Sequence, residues 1–206
     1  MRLNGKQTIY QMIQFAERVG ERGGPAREPI WYKNEFLRRL DERIADRVEG
    51  LHSGALRPDE FLVFGVRPVL EDLQRRNLSL YLASGTDEPY VRREAQLLGI
   101  ARYFGRHIYG ALDDYRQFSK KLLIERLLRE NQIPGKRLLS FGDGYVEIQN
   151  TKEVGGFAIG VASDEAHNGS GRMDQWKQQR LRGVGADVLI ADFRDVPALL
   201  ELVLGK

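Results

Sequence analysis

Apolar residues in the first third of the chain recur at helical spacing. Ile9, Met12, Ile13, Ala16 and Val19 share one face, with polar residues between them. A loop rich in glycine and proline follows over residues 20–29. A second stripe then runs through Leu37, Leu40, Ile44, Val48 and Leu51, ends at Ser53-Gly54, and leads into a short helical piece at 58–62. No strand candidate of any strength precedes Phe61. After Gly65 the rhythm changes. Val66, Val69, Leu70 and Leu73 mark a helix, and residues 78–83 read as a buried strand. Val91, Ala95 and Leu98 mark the next helix, and a weaker strand follows at 107–109. A helix over 119–130 precedes a strand at 138–141; further strands are expected at 157–161 and 188–191, before a closing helix at 196–204. Strands separated by helices, without hairpin signals, imply right-handed crossovers and a parallel sheet. The expectation is a helical module over residues 1–62 and a Rossmann-like α/β core over residues 63–206.

Composition narrows the chemistry. The 206 residues contain no cysteine, which excludes a disulfide scaffold, a thiol nucleophile and a thiolate zinc site. The net charge is +3, from 32 basic and 29 acidic side chains, but the two signs are interspersed almost evenly along the chain. A solvated mixed surface accounts for this better than a phosphate-tracking stripe, so no nucleic acid is expected as a partner. The apolar runs at 61–66 and 78–83 are far too short to span a bilayer, and residues 1–20 hold no apolar stretch of the secretory kind. A cytoplasmic protein with no membrane partner is the expectation.

In a parallel sheet, ligands bind beyond the carboxyl ends of the strands. Ser84-Gly85-Thr86-Asp87 follows the strand at 78–83 and leads into a helix. A hydroxyl and free amides at a helix start suit a phosphate, although this segment taken alone reads more readily as an ordinary N-cap by Thr86 or Asp87. Gly142-Asp143-Gly144-Tyr145-Val146-Glu147 follows the strand at 138–141. Asp143 and Glu147 are four apart, so both carboxylates can face one side at a helix start. Oxygen-only chemistry of this kind suits a hard cation such as Mg2+; helix capping and a favourable dipole contact are the alternative. Glycines at 142 and 144 permit close backbone approach. Between these segments, Lys120 and Lys121 open a helix, where a lysine can neutralise phosphate or hold a carboxylate; a solvated surface lysine is the alternative. His52, His107 and His167 sit at no metal-ligand spacing.

The order of these segments resembles the haloacid dehalogenase-like hydrolases. Ser84 matches that family's second motif, Lys120 its third (with Lys121 as a substitute), and Asp143 with Glu147 its fourth. The resemblance covers residues 61–204 as core, and residues 1–60 resemble the family's helical cap. It implies phosphate binding by Ser84, the Gly85 amide and Lys120, and Mg2+ held by Asp143 and Glu147. The substrate it implies is a small phosphate ester, attacked by an aspartate to give an aspartyl-phosphate that water hydrolyses.

That attacking aspartate belongs to an Asp-x-Asp-x-Thr or -Val motif ending the family's first strand, which lies between the strands carrying Ser84 and Asp143. No such motif occurs in this sequence: Asp41 is the first aspartate, and Asp113-Asp114 and Asp192/Asp195 have the wrong spacing or follow the wrong elements. The expectation is a chain that starts inside its cap and lacks the first core strand and nucleophile. The competing expectation is a non-catalytic member that binds a phosphorylated ligand or a protein.

Overall fold

The computed structural model describes residues 6–112 and 118–204, with only the backbone of Leu202. Asp113 and Asp114 therefore lie outside the described residues. Two helices come first: α1 (Thr8–Glu21) and α2 (Pro29–Ser53), packed on each other. α2 begins well ahead of Leu37, the first residue of its predicted stripe. Pro29 occupies the first turn, where its fixed φ fits the helix and its missing N–H leaves nothing unsatisfied. Tyr32, inside that early turn, meets the Phe15 ring of α1 edge-on at 5.0 Å. Gly54, in the left-handed region at φ 77°, ends the helix.

A 3-10 turn (Pro58–Phe61) then leads into alternating elements: α3 (Val66–Arg75), β1 (Leu82–Asp87), α4 (Glu88–Leu97), α5 (Ala101–Phe104) and β2 (Ile108–Ala111). They continue as α6 (Lys120–Glu130), β3 (Leu139–Gly142), α7 (Tyr145–Glu153), β4 (Phe157–Val161), α8 (Gln175–Gly183), β5 (Val188–Ile190) and α9 (Val196–Leu204). Every strand pairing is parallel, as helical crossovers require. β1 begins later than the 78–83 expectation and runs through Ser84-Gly85-Thr86, because the ladder with β2 starts at Leu82↔Ile108 and is regained at Asp87↔Ala111. β3, β4 and β5 lie within a residue or two of expectation. α8, polar around most of its surface with only Leu181 buried, and the single-turn α5 carry no stripe that would announce them.

The strands form two sheets, β1-β2 and β3-β4-β5. Among the described residues no strand joins β1 to β3, so each keeps one edge outside the ladder. One apolar layer nevertheless underlies both sheets. Val69 and Leu73 of α3 and Val196 and Leu200 of α9 pack against Leu80, just ahead of β1, and against Leu139 and Phe141 of β3. On the opposite face, Ile148 of α7 and Leu181 of α8 are fully buried against Ala158 and Ala162. Burial of each such side chain is worth about 1.5–3 kcal/mol. α6 covers β1 and β2 through Leu123 and Leu127. The result is an α/β/α core whose strand ends all point one way.

Three features fix the helical pair to this core. Gly65 adopts φ 80°, and a Cβ there would lie 2.9 Å from the Phe193 carbonyl carbon, so the re-entering chain needs glycine. Lys33 of α2, only 4% exposed, makes a 2.6 Å ion pair with Asp87 at the end of β1. Farther along α2, Asp41 accepts hydrogen bonds from Arg93 (2.7 Å) and Tyr90 (3.0 Å) of α4.

Candidate active site

The carboxyl ends of β1 and β3, the first turn of α6 and the entry to α1 enclose one cavity of about 520 Å³. Ser84, Gly85, Lys120, Asp143 and Glu147 all line it, so three segments far apart in sequence converge on one space.

Ser84 sits on the distorted end of β1, where its Oγ accepts the Thr86 N–H at 3.1 Å. That contact fixes the hydroxyl oxygen and leaves its proton available to a ligand. Gly85 is needed for a packing reason: a Cβ would lie 3.0 Å from the Lys6 carbonyl oxygen, where the chain enters α1. Gln7 anchors the same entry by donating from Nε2 to the Phe118 carbonyl.

Ser119 caps α6 by accepting the Leu122 N–H at 3.1 Å, and the helical rotation sends the next two residues in different directions. Lys120 faces the cavity and makes a 2.9 Å ion pair with Glu147 Oε2, with both side chains largely buried (12% and 15% exposed). Lys121 points outward to Glu153 at 2.8 Å, where the pairing raises the lysine's pKa and lowers that of the acid. Of the two candidate lysines, Lys120 is the one at the cavity.

Glu147 folds back over its own helix start. Its Oε1 accepts the Gly144 N–H at 3.0 Å while Oε2 holds Lys120. The flanking glycines make room for this: a Cβ at 142 would fall 2.2 Å from Glu147 Cγ, and one at 144 would fall 2.8 Å from Oε1. The approach those glycines permit is therefore made by a protein carboxylate. Asp143 is exposed and forms no ion pair or hydrogen bond with any described residue. It is the acid in this segment whose oxygens remain free for a cation. Among the described residues no group of three acidic or histidine side chains forms a ready cation cage.

Sequence reasoning missed part of the lining. Lys6, Thr8 and Gln11 arrive from the start of α1, and Glu165 and Lys177 from the segment after β4. Ser163-Asp164-Glu165 occupies a third strand end, a positional signal that was open to reading. Thr86 and Asp87 do not cap α4 through their side chains; the Asp87 carboxylate is committed to Lys33.

Residues 11–155 match the haloacid dehalogenase-like hydrolase family. The chain belongs to that family. No curated protein matches it. Among solved structures it is similar to a HAD family hydrolase from Deinococcus radiodurans R1 with bound phosphate and sodium (TM-score 0.56, 14% identity, 68% of this chain and 59% of that one). It is also similar to a predicted phosphoglycolate phosphatase from Haemophilus somnus 129pt (TM-score 0.52, 17% identity, 67% and 56%). A haloacid dehalogenase-like protein from Streptococcus pneumoniae matches over more of both chains (TM-score 0.52, 18% identity, 94% and 90%). This chain thus spans 59% and 56% of the first two relatives' lengths. At these identities the likeness establishes the HAD fold, and the site of this HAD-like chain rests on its own residues. No described helix is long and apolar enough to cross a membrane.

Proposed function

We propose that this chain forms the phosphate- and metal-binding part of a Mg2+-dependent phosphatase acting on a small phosphate ester in the cytoplasm. The observation that carries this reading is the convergence of Ser84, Lys120 and Asp143, from three separate elements, on one polar cavity at the strand ends. The Ser84 hydroxyl and the Gly85 amide donate to phosphate oxygens. Lys120, steadied by Glu147, offsets their charge. The residues suit Mg2+: a hard cation retains several waters and needs only one or two carboxylates, and Asp143 offers a free one. When bound, the cation supplies charge neutralisation at the phosphoryl oxygens. Glu147 serves behind it by positioning Lys120.

In this reading an aspartate carboxylate attacks phosphorus, the ester oxygen leaves carrying a proton from an acid, and water releases phosphate from the aspartyl-phosphate. The 206 residues contain no Asp-x-Asp pair to supply those two groups. The family resemblance puts such a strand between β1 and β3, and each of these keeps one edge without a strand partner among the described residues. Residues 1–62 then act as a cap that selects the leaving group above a core of 63–206. The lack of an Asp-x-Asp pair also favours a second reading, in which the chain binds a phosphorylated ligand without turnover.

Calorimetry with inorganic phosphate and Mg2+ tests the common part. Ser84→Ala and Lys120→Met are each expected to weaken phosphate binding about tenfold or more, the loss of one charge-assisted contact. Asp143→Asn is expected to abolish the Mg2+ dependence. Phosphate binding indifferent to all three sinks the proposal. Phosphate-ester hydrolysis by a form carrying an added N-terminal Asp-x-Asp-x-Thr strand, lost in Asp143→Asn, selects the enzyme; binding without turnover in that form selects the second reading.

A further inference from the structure

Lys177 and Glu165 reach the same cavity from α8 and the segment after β4, and the phosphate chemistry above does not use them. Lys177 lies in the first turn of α8, where its N–H donates to the capping Asp174 carboxylate at 2.8 Å. Its side chain reaches back to the segment just after β4. There Nζ meets the Ser163 carbonyl at 3.2 Å and the Ser163 hydroxyl at 3.4 Å, and Ser163 is itself 7% exposed. Ser163 is held in turn by a bridge to Met173 that closes the intervening loop. The ammonium is thus fixed in the cavity wall, with its side chain 13% exposed.

The anion paired with it is placed differently. Glu165 reaches Lys177 Nζ at 2.5 Å from a side chain that is 75% exposed. An ammonium has three N–H groups; two are directed at Ser163 and the third at Glu165. A solvent-exposed carboxylate gains little from such a pairing and loses little by swinging into water. When it swings, the third N–H is free to meet a ligand in the cavity. Lys120 differs on this point, because its partner Glu147 is itself buried and held by Gly144.

The charge balance points the same way. Lys6, Lys120 and Lys177 face Asp143, Glu147 and Glu165 in the lining, so the cavity is formally neutral as it stands. Departure of Glu165 and arrival of a divalent cation at Asp143 would leave it three units positive. For these 206 residues, which hold no Asp-x-Asp pair, a phosphate dianion leaves one positive unit unmatched, and a phosphate with a carboxylate matches all three.

We infer that the ligand carries a second anionic group, a carboxylate or another phosphate, and that Lys177 binds it in place of Glu165. This rests on the phosphate site proposed above. The experiment compares three inert ligands, with Mg2+ present, by calorimetry: propylphosphonate, 3-phosphonopropionate and propane-1,3-bisphosphonate. The two-anion ligands are expected to bind at least about tenfold more tightly than propylphosphonate. A gain with one and not the other identifies the second group as carboxylate or phosphate. Lys177→Met is expected to remove the gain without changing propylphosphonate binding, Lys177→Arg to restore most of it, and Glu165→Gln to enlarge it. Equal affinity for all three ligands overturns the inference, as does a Lys177→Met loss shared equally among them. Propylphosphonate separates the two levels. If its binding ignores Ser84→Ala and Lys120→Met, the phosphate site is wrong, whereas a missing two-anion gain with those effects intact refutes only the role of Lys177.

Discussion

Two lysine–carboxylate pairs in this molecule look alike as contacts and differ in what surrounds them. Lys33–Asp87 measures 2.6 Å with side chains 5% and 14% exposed; Lys120–Glu147 measures 2.9 Å with 12% and 15%. The first is sealed between α2 and the end of β1. The second borders an open cavity, and its acid has a further donor in the Gly144 N–H. Exposure values alone do not separate them. What does is whether each partner has an alternative when the other is removed. Asp87 has no other ion pair among the described residues, whereas Glu147 keeps the Gly144 amide and the water of the cavity. A similar buried pair thus joins α2 to the end of β1 in one place and lines an open cavity in the other.

The strongest way to break the comparison is to truncate the two lysines separately. Lys33→Met leaves the Asp87 carboxylate buried beneath α2 without a counter-charge. Removing one member of a buried pair typically costs about 3–5 kcal/mol, and Asp87's partial exposure places the expectation near 3 kcal/mol. Lys120→Met is expected to cost about 1 kcal/mol, the scale of one hydrogen bond whose acceptor stays solvated, while weakening phosphate binding. Urea unfolding of both variants reads the contrast. Equal losses would mean that the cavity pair is as structural as the sealed one.

A subtler variant tests how Glu147 is held. Gly142→Ala puts a methyl group where Glu147 Cγ now lies, 2.2 Å from the ideal Cβ position. The side chain must turn outward, releasing both Lys120 and the Gly144 amide. Overpacking of this kind costs about 1–3 kcal/mol, and the low end is expected because Glu147 can move into the cavity. Lys120 then loses its positioning, so phosphate affinity is expected to fall more than stability does. Unchanged phosphate affinity in a folded Gly142→Ala protein would show that Glu147 does not position Lys120.

The contrast between the pairs also explains what could be read from the chain. Ser84, Lys120 and Asp143 were legible because each sits at a fixed offset from a strand end or helix start, where local chemistry and fold agree. Glu147 was legible as an acid at the right spacing; its turn toward Lys120 was not, since that depends on α6 and α7 lying side by side. Lys177 and Lys6 reach the cavity from elements separated from the motifs, and Lys33 meets Asp87 across the helical pair, so no periodicity announces them. The fold divides in the same way. β4 has apolar residues buried almost throughout and was legible end to end. β1 begins and ends later than its apolar run suggests, because its ladder with β2 starts at Leu82↔Ile108, passes over Ser84-Gly85-Thr86 and resumes at Asp87↔Ala111.

The smallest expected effect lies farther along the α2 contact, at Asp41. The Arg93 guanidinium, helped by the Tyr90 hydroxyl, holds its carboxyl below the usual carboxylate range. An acid whose pKa is depressed on folding adds stability that is fully present above its unfolded value and lost as pH falls through the folded one. The pair therefore supports the α2–α4 contact at neutral pH and releases it only in acid, below about pH 4. Asp41 and Arg93 are 37% and 42% exposed, so the contribution is well under 1 kcal/mol. Asp41→Asn is expected to lower the urea midpoint slightly at pH 7, with the difference from the unmodified protein shrinking as the pH falls below about 4. A difference that persists undiminished at pH 3 would mean that Asp41 acts through packing, and the charge-based account of this contact would fall.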